Sequence, residues 1–169
     1  MKRIVLIRHA KSSWSDPAAD DVTRPLNRRG RLAASLMGAW LEDMELAPDA
    51  VWLSPATRTK ETWARMRTVC GGHKGEVHKA LYMADPSTML KILNASGDAK
   101  VIAIVGHQPG MSAMARKLSD GKMSTTVARA LSHYPTGGIA VLEADVKQSA
   151  DISFKACKFA QFVIPKDLV

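Results

Sequence analysis

The first pattern along the chain is an uninterrupted apolar run that ends abruptly in charged residues. The run covers residues 4–7, and Arg8 and His9 follow it directly. Continuous apolar runs of this kind are typical of strands that are covered on both faces, as in a parallel sheet. The run therefore predicts a central strand. Because ligands bind beyond the carboxyl ends of strands in open α/β sheets, Arg8 and His9 are placed to meet an anion.

Five more apolar runs complete the predicted sheet. They cover residues 50–53, 76–81, 100–105, 139–143 and 152–159. The last two alternate between apolar and polar positions and are joined through residues 145–150, which predicts an antiparallel hairpin. Helical patterns separate the earlier runs; one covers residues 111–118, whereas residues 127–132 predict only a helical turn. This order of elements predicts an α/β fold with a mostly parallel central sheet.

Helical spacing and capping signals define the other helices. The first helix is predicted to begin near Asn27, and large apolar side chains at four-residue spacing predict its buried face. These side chains are Leu32, Leu36, Trp40 and Met44, and the predicted face also includes Ala33, Met37 and Leu41 beside them. The pairs Ser54-Pro55 and Asp85-Pro86 are each typical of an N-cap followed by proline at the first helical position, so two more helices are predicted to begin there.

Composition favours one globular domain that acts on anionic partners. The chain has 169 residues, 46% of them hydrophobic, and a single domain over residues 1–169 is expected. Lysine and arginine outnumber aspartate and glutamate by 24 to 16, and the formal charge of +8 favours phosphorylated or acidic partners. Aromatic residues make up only 5% and do not alternate with basic runs, which disfavours nucleic acid as a partner.

The sequence predicts neither membrane insertion nor a metal centre. The apolar run at residues 4–7 is too short for a signal peptide, and no run approaches membrane-spanning length. Cys70 and Cys157 lie far apart and outside any C-x-x-C pattern, and the histidines lack ligand spacing. We therefore expect a cytoplasmic protein that uses no metal and no other cofactor.

Basic and imidazole side chains follow three of the predicted strands. Arg8 and His9 follow the first strand, Arg58 lies just after the second, and His107 follows the fourth. These junctions lie along one edge of a parallel sheet, so the four side chains can converge. Guanidinium groups bind phosphoryl oxygens in a fork, and an imidazole aligned with phosphorus can act as a nucleophile. The constellation therefore predicts a site for phosphoryl transfer.

The same junctions resemble the motifs of the histidine phosphatase superfamily. Residues 8–10 (RHA) are similar to its R-H-G/A signature, residues 54–62 (SPATRTKET) to its S-P-x-x-R-T-x-x-T element, and residues 106–107 (GH) to its second-histidine element. The resemblance covers nearly the whole chain. It implies a three-layer α/β/α sandwich of the phosphoglycerate mutase-like kind.

The resemblance also implies roles for individual residues. His9 would be the phosphorylated nucleophile, and His107 would stabilise the transferring charge. Arg8 and Arg58 would clamp the phosphoryl group, and Ser54, at the start of the second motif, would belong to the phosphate site.

Within the superfamily, the chain is most similar to small phosphohistidine phosphatases of the SixA type. The similarity includes the short chain, the segment RHAKSSW and residues 21–30 (DVTRPLNRRG). It implies that Arg24 is a further phosphate contact and that Asp21 is a polar residue of the site. The segment at residues 81–88 (LYMADPST) contains no glutamate, whereas mutases carry their proton donor there. Mutase activity is therefore not expected.

The missing glutamate favours nitrogen–phosphorus bonds as substrates. An alkoxide leaving group needs a proton in the transition state, and general acid catalysis supplies about 10²- to 10⁴-fold there. Phosphohistidine leaves as imidazole, whose pKa of about 6.5 allows it to depart neutral. Asp21 and Asp85 remain candidate proton donors.

The sequence thus supports three hypotheses. The first is a metal-independent phosphatase that hydrolyses phosphohistidine on a protein through a phosphorylated His9. The second is a broad phosphomonoesterase that acts on small acidic metabolites, with Asp85 or Asp21 as the acid. The third is a phosphate- or phosphopeptide-binding module without turnover.

Overall fold

A six-stranded mixed sheet forms the middle layer of the molecule. The computed structural model describes all residues, 1–169. The strands are Lys2–Arg8 (β1), Ala50–Leu53 (β2), Glu76–Val77 (β3), Val101–Gly106 (β4), Ile139–Ala144 (β5) and Cys157–Val163 (β6). Their spatial order is β3-β2-β4-β1-β5-β6; β1 to β4 are parallel, and β5 is antiparallel to both of its neighbours. The predicted mostly parallel sheet with β1 near its centre is confirmed.

Five helices cover the two faces of this sheet. They are Arg28–Asp43 (α1), Thr57–Cys70 (α2), Pro86–Asn94 (α3), Gly110–Leu118 (α4) and Thr125–His133 (α5). Alternate side chains of β1 belong to two separate apolar clusters, because successive residues of a strand point to opposite faces. Val5 packs with residues of α1 and α2, and Ile4 packs with residues of α3, α4 and α5. The α/β/α sandwich is therefore confirmed.

The predicted buried face of α1 was right only in part, because Met37 and Leu41 are buried whereas the large side chains at four-residue spacing are half-buried or exposed. Leu32 is 64% exposed, and Met44 lies beyond the end of the helix. The residues that are buried include smaller ones: Gly30, Ala34, Met37, Gly38 and Leu41. A Cβ at Gly38 would lie 2.7 Å from the carbonyl oxygen of Met66, so the close packing of α1 on α2 selects glycine there. Four-residue spacing of large side chains alone could not reveal this requirement.

Three other predicted elements differ from the structure. The strand predicted at 76–81 is only Glu76–Val77, and a 3-10 turn follows it at Lys79–Leu81. The strand predicted at 152–159 begins five residues later, because the Asn94 amide binds the Ile152 carbonyl and ties that residue to α3. The turn predicted at 127–132 is a full helix, α5, which Ser124 caps by accepting from the Val127 amide.

Strand register brings the predicted site residues to one edge of the sheet. Arg8 pairs with Gly106, and Leu53 pairs with Val105, so the residues that follow β1, β2 and β4 emerge side by side. The long connection after β1 folds back over this edge and contains a 3-10 turn at Asp21–Thr23. No helix in the structure has the length and apolarity needed to cross a bilayer.

Candidate active site

The site lies in a cleft at the carboxyl ends of β1, β2 and β4. His9 follows β1 and His107 follows β4, and the centroids of their rings are 5.5 Å apart. Arg58, in the first turn of α2, reaches to within 3.3 Å of His107 Nδ1 through its Nη2. Both histidines and Arg58 are buried. The convergence predicted for these side chains is therefore present in the structure.

His9 is held with one ring nitrogen engaged and the other free. Its Nδ1 lies 2.7 Å from the Ala10 carbonyl oxygen, which can only accept, so Nδ1 carries the proton and Nε2 keeps its lone pair. The Ala10 amide in turn donates to Thr62 Oγ1 at 2.9 Å, and this hydroxyl donates to the Arg58 carbonyl at 2.6 Å. Burial, with a smaller contribution from Arg58, lowers the pKa of His9 to about 3. The ring is therefore neutral at neutral pH.

Arg8 and Arg58 each present a buried N–H group that has no partner. Arg8 Nη1 donates to the Tyr134 carbonyl at 2.9 Å, and Arg58 Nη1 donates to the Asp21 carbonyl at 2.6 Å. The Nε atoms of both arginines are buried and make no hydrogen bond. Since buried donors are normally satisfied, two orphaned guanidinium donors in one cleft indicate a site for an anion.

Asp21 connects two arginines across the mouth of the cleft. Its Oδ1 accepts from Arg24 Nε at 3.2 Å and from Arg24 Nη2 at 3.1 Å, and its Oδ2 accepts from Arg58 Nη2 at 2.9 Å. Arg24 is further fixed by a bond from Nη1 to Ser12 Oγ at 2.6 Å and by the exposed Trp14 ring, 3.5 Å from its Cζ. Arg24 thus sits in the cleft beside Arg58, with Asp21 between them.

Neither candidate carboxylic acid holds a proton at neutral pH. The hydrogen bond from Tyr82, together with Arg58 and Arg24, holds the pKa of Asp21 well below its usual range. The amide of Thr88 donates to Asp85 Oδ1 at 2.9 Å, and this bond lowers the pKa of the exposed Asp85 carboxyl. Asp85 is the N-cap of α3, as predicted. Both groups are ionised, so neither can act as a general acid in this state.

Ser54 supports His107 and does not cap a helix. The N-cap of α2 is Ala56, so the prediction that Ser54 caps this helix was wrong. Ser54 is fully buried, and its Oγ lies 2.7 Å from His107 Nε2. Because Arg58 can only donate, its contact with Nδ1 assigns the proton to Nε2, which then donates to Ser54. Burial, followed by Arg58, lowers the pKa of His107 to about 4, so this ring is also neutral.

Two tyrosines of the site were missed by the sequence interpretation. Tyr134 is fully buried; its hydroxyl donates to the Leu6 carbonyl at 2.6 Å, and its own carbonyl receives Arg8. Tyr82 donates its hydroxyl proton to Asp21, and its ring centroid lies 5.3 Å from that of His107. Tyr134 follows a segment of weak pattern and Tyr82 follows a very short strand, so no periodicity pointed to either residue.

The side chains of the cleft suit an anion and not a cation. No group of three or more histidine, cysteine, aspartate or glutamate side chains lies close enough together to hold a metal ion. The guanidinium groups of Arg24 and Arg58 both bind the single carboxylate of Asp21. Burial, followed by the charge of Arg58, lowers the pKa of Arg8, so a third guanidinium group lies near this pair. This charge distribution attracts phosphoryl groups, whose oxygens a guanidinium fork binds in pairs.

Comparison with known proteins assigns the chain to a family. A family model described as the histidine phosphatase superfamily (branch 1) matches residues 4–82. An uncharacterized protein of Mycobacterium tuberculosis is 36% identical over 163 residues, which cover 95% of this chain and 100% of the relative.

Solved structures agree with this assignment. A SixA-type protein of Nakamurella multipartitia matches with a TM-score of 0.84 and 28% identity, over 97% of this chain and 96% of that chain. A SixA-type protein of Agrobacterium tumefaciens matches with a TM-score of 0.77 and 25% identity, over 97% and 98% of the two chains. The chain belongs to the histidine phosphatase superfamily and is a phosphatase, similar to proteins of the SixA type.

Proposed function

We propose that the protein hydrolyses phosphohistidine on a protein substrate, without a metal ion, through a phosphorylated His9. The observation that carries the choice of substrate is the ionised state of the two candidate proton donors, Asp21, which binds Arg24 and Arg58 at the site, and the exposed Asp85. A site without a protonated acid is poorly equipped to release an alkoxide but can release an imidazole. The similarity to SixA-type structures supports the same substrate class.

The first chemical step forms a bond between His9 and phosphorus. The free lone pair of His9 Nε2 attacks phosphorus, and the bond from phosphorus to the substrate nitrogen breaks with its electron pair staying on that nitrogen. The substrate ring carries a proton on its other nitrogen, so it departs as neutral imidazole. The unpartnered Nε–H groups of Arg8 and Arg58 offer donors to the equatorial oxygens. Water then attacks the phosphorylated His9 in the second step and releases inorganic phosphate, which restores the neutral ring.

His107 and Ser54 contribute a neutral donor to the same oxygens. In the free cleft, His107 donates from Nε2 to Ser54 and accepts from Arg58 at Nδ1. A serine hydroxyl both donates and accepts, so Ser54 also fits the other tautomer, whose Nδ1–H can donate to a phosphoryl oxygen. This arrangement gives His107 the stabilising role that the family resemblance implies and makes Ser54 a positioning residue behind it.

Arg24 adds a third guanidinium to the cleft. It is 7% exposed, and its fork is held on Asp21 while Trp14 covers its face. The two arginines that flank Asp21 keep a positive field at the mouth, since one carboxylate neutralises only one of them. This field favours entry of a dianionic phosphoryl group.

A paired rate measurement tests the proposed substrate. A protein phosphorylated on histidine with phosphoramidate is compared with glycerol 2-phosphate, an alkyl ester, and with para-nitrophenyl phosphate, all in EDTA, because the proposal needs no metal. We expect phosphate release from the phosphohistidine protein with a kcat/KM at least about tenfold above that for the alkyl ester, whose leaving group needs a proton. Faster turnover of simple esters, with phosphohistidine left intact, would replace this proposal with a phosphomonoesterase. Tight phosphate binding without release from either compound would identify a binding module.

Activity is expected to persist to an unusually low pH. An ordinary histidine nucleophile would become protonated near pH 6.5, whereas the pKa values of His9 and His107 are lowered to about 3 and about 4. A lowered pKa keeps each ring neutral to lower pH, so the acidic limb of kcat/KM should lie near pH 3 to 4. The profile is measured with two aryl phosphates of different ionisation, and circular dichroism monitors the fold. An acidic limb near 6.5 with both substrates would contradict this expectation.

A further inference from the structure

Tyr82 stands at the mouth of the cleft and is not needed for the phosphoryl clamp. Its hydroxyl donates to Asp21 Oδ2, which also accepts from Arg58 Nη2 at 2.9 Å. One carboxylate oxygen therefore separates the phenol from the guanidinium that faces the phosphoryl group. The ring of Tyr82 meets that of His107 edge-on, with an interplanar angle of 73°. The phenol therefore lies beside His107 and Arg58, two of the groups proposed to hold the phosphoryl group.

The hydrogen bonds of Asp21 fix what Tyr82 can offer. Each carboxylate oxygen accepts about two hydrogen bonds. Asp21 Oδ1 takes two from Arg24, and Oδ2 takes one from Arg58 and one from Tyr82, so the carboxylate has no capacity for substrate. The single proton of Tyr82 is committed to Asp21, and this bond raises the pKa of the phenol. The Tyr82 oxygen therefore has only its lone pairs available to a substrate, and these can only accept a hydrogen bond.

We propose that Tyr82 Oη accepts a hydrogen bond from the distal ring N–H of the substrate phosphohistidine and thereby selects substrates whose leaving group carries such a donor. The inference rests on the proposed function and adds a specificity-determining residue to it. The bond holds the proton on the nitrogen that does not bear phosphorus. When the P–N bond breaks, its electron pair stays on the nitrogen that carried phosphorus, and the ring, protonated on the distal nitrogen before cleavage, departs as neutral imidazole.

The same geometry disfavours phosphate esters. An ester oxygen leaves as an alkoxide unless it receives a proton, and the Tyr82 proton already bonds the ionised Asp21. The mouth therefore offers an acceptor where an ester requires a donor. Phosphohistidine presents the opposite need, because a ring that loses its distal proton before cleavage would have to depart as an anion. The Tyr82–Asp21 pair thus distinguishes the two substrate classes by the direction of one hydrogen bond.

Tyr82→Phe tests this role, with Met83→Leu as the matched control. Phenylalanine keeps the ring against His107 and removes only the hydroxyl, and Met83 is an exposed neighbour with no recorded polar contact in the cleft. We expect kcat/KM on the phosphohistidine protein to fall about tenfold or more, as for loss of a hydrogen bond to a charged group. The rate on para-nitrophenyl phosphate should fall less than about threefold, so the preference for phosphohistidine declines. Met83→Leu should leave both rates as in the wild type.

A pH profile separates this role from a structural one. The alkaline limb of kcat on phosphohistidine reports loss of the ring proton in the bound complex. Without the Tyr82 acceptor, the limb should move to lower pH by about one unit, which corresponds to the tenfold rate effect. The aryl ester has no ring proton, so its profile should show no such shift.

The outcomes distinguish this inference from the function on which it rests. Equal losses on both substrates would overturn it, because Tyr82 would then act on the clamp through Asp21 and Arg58. Full retention of phosphohistidine turnover by the variant would also overturn it and leave the proposed function intact. If the wild type hydrolyses only the aryl ester, the proposed function fails, and the inference fails with it.

Discussion

Replacing His9 with asparagine should abolish turnover of every phosphorylated substrate, with a loss of about 10³-fold or more. The asparagine amide can still donate to the Ala10 carbonyl, as Nδ1 does at 2.7 Å, but nothing replaces the lone pair of Nε2. The anchor of the following residue, the bond from the Ala10 amide to Thr62, involves only backbone and Thr62 and should persist. The variant therefore removes the nucleophile with little change to the cleft.

Covalent labelling provides the second readout for His9. Wild-type protein mixed rapidly with radiolabelled substrate and quenched in alkali should carry an acid-labile, alkali-stable phosphate, and His9→Asn should carry none. His133→Asn is the matched control, since the side chain of that histidine is exposed at the end of α5. A labelled His9→Asn protein, or one with more than a tenth of wild-type turnover, would show that another group attacks phosphorus.

The sequence predicted the central strands well because burial on both faces leaves an unambiguous pattern. β1 and β4 contain continuous apolar runs and pair with each other; β4 was identified within one residue of its ends and β1 within two. β3 and β6 lie at the two edges of the sheet. An edge strand is covered on fewer sides, so its pattern is weaker, and its limits depend on contacts such as that of Asn94 with Ile152.

The positions of the helices were easier to predict from the sequence than the faces that they bury. α1 was located correctly from Asn27, which caps it by accepting from the Gly30 amide at 2.8 Å. The buried face of α1 was predicted only in part, because that face depends on how closely the backbones of α1 and α2 approach each other. Gly30 demonstrates the same point: a Cβ there would lie 2.0 Å from the Lys11 carbonyl oxygen. Such contacts are set by distant parts of the chain and leave no periodic trace.

The convergence of the four core residues of the site could be predicted, because the order and direction of the strands are enough to bring them together. Arg8, His9 and His107 follow parallel neighbouring strands, so any fold with that pairing brings them together. The network around Asp21 could not be derived in this way. It depends on the path of the long loop after β1. Asp21, in this loop, contacts Arg58, which lies 37 residues further along the chain, and Tyr82, which lies 61 residues further along. The ionised state of the Asp21 carboxylate emerged only from that geometry.

Replacing Arg58 with alanine is the other change with a large expected effect. Arg58 is 3% exposed, carries an unpartnered Nε and contacts both Asp21 and His107. Loss of one preorganised donor group aimed at the charge of a transition state costs about 10²- to 10³-fold in kcat. We expect that loss on phosphohistidine and aryl phosphate alike, because both share the phosphoryl group that Arg58 is proposed to clamp.

Two further variants separate charge from geometry at this position. Arg58→Lys keeps one positive charge but has no planar fork, so it should recover only part of the lost rate. Arg65→Ala is the matched control, because Arg65 lies on the exposed side of the same helix. It should leave kcat unchanged and should lower only the weak salt dependence of association with a protein substrate.

Binding of inorganic phosphate tests the clamp independently of turnover. A ligand that binds only the folded state raises the melting temperature, so phosphate should stabilise the wild type and Arg65→Ala but not Arg58→Ala. The backbone link from Thr62 to the Arg58 carbonyl survives the substitution, so the His9 loop should keep its position and the variant should fold. If Arg58→Ala retains both phosphate stabilisation and more than half of wild-type kcat, Arg8 and Arg24 suffice for the clamp, and the unpartnered Nε of Arg58 has no part in binding the phosphoryl group.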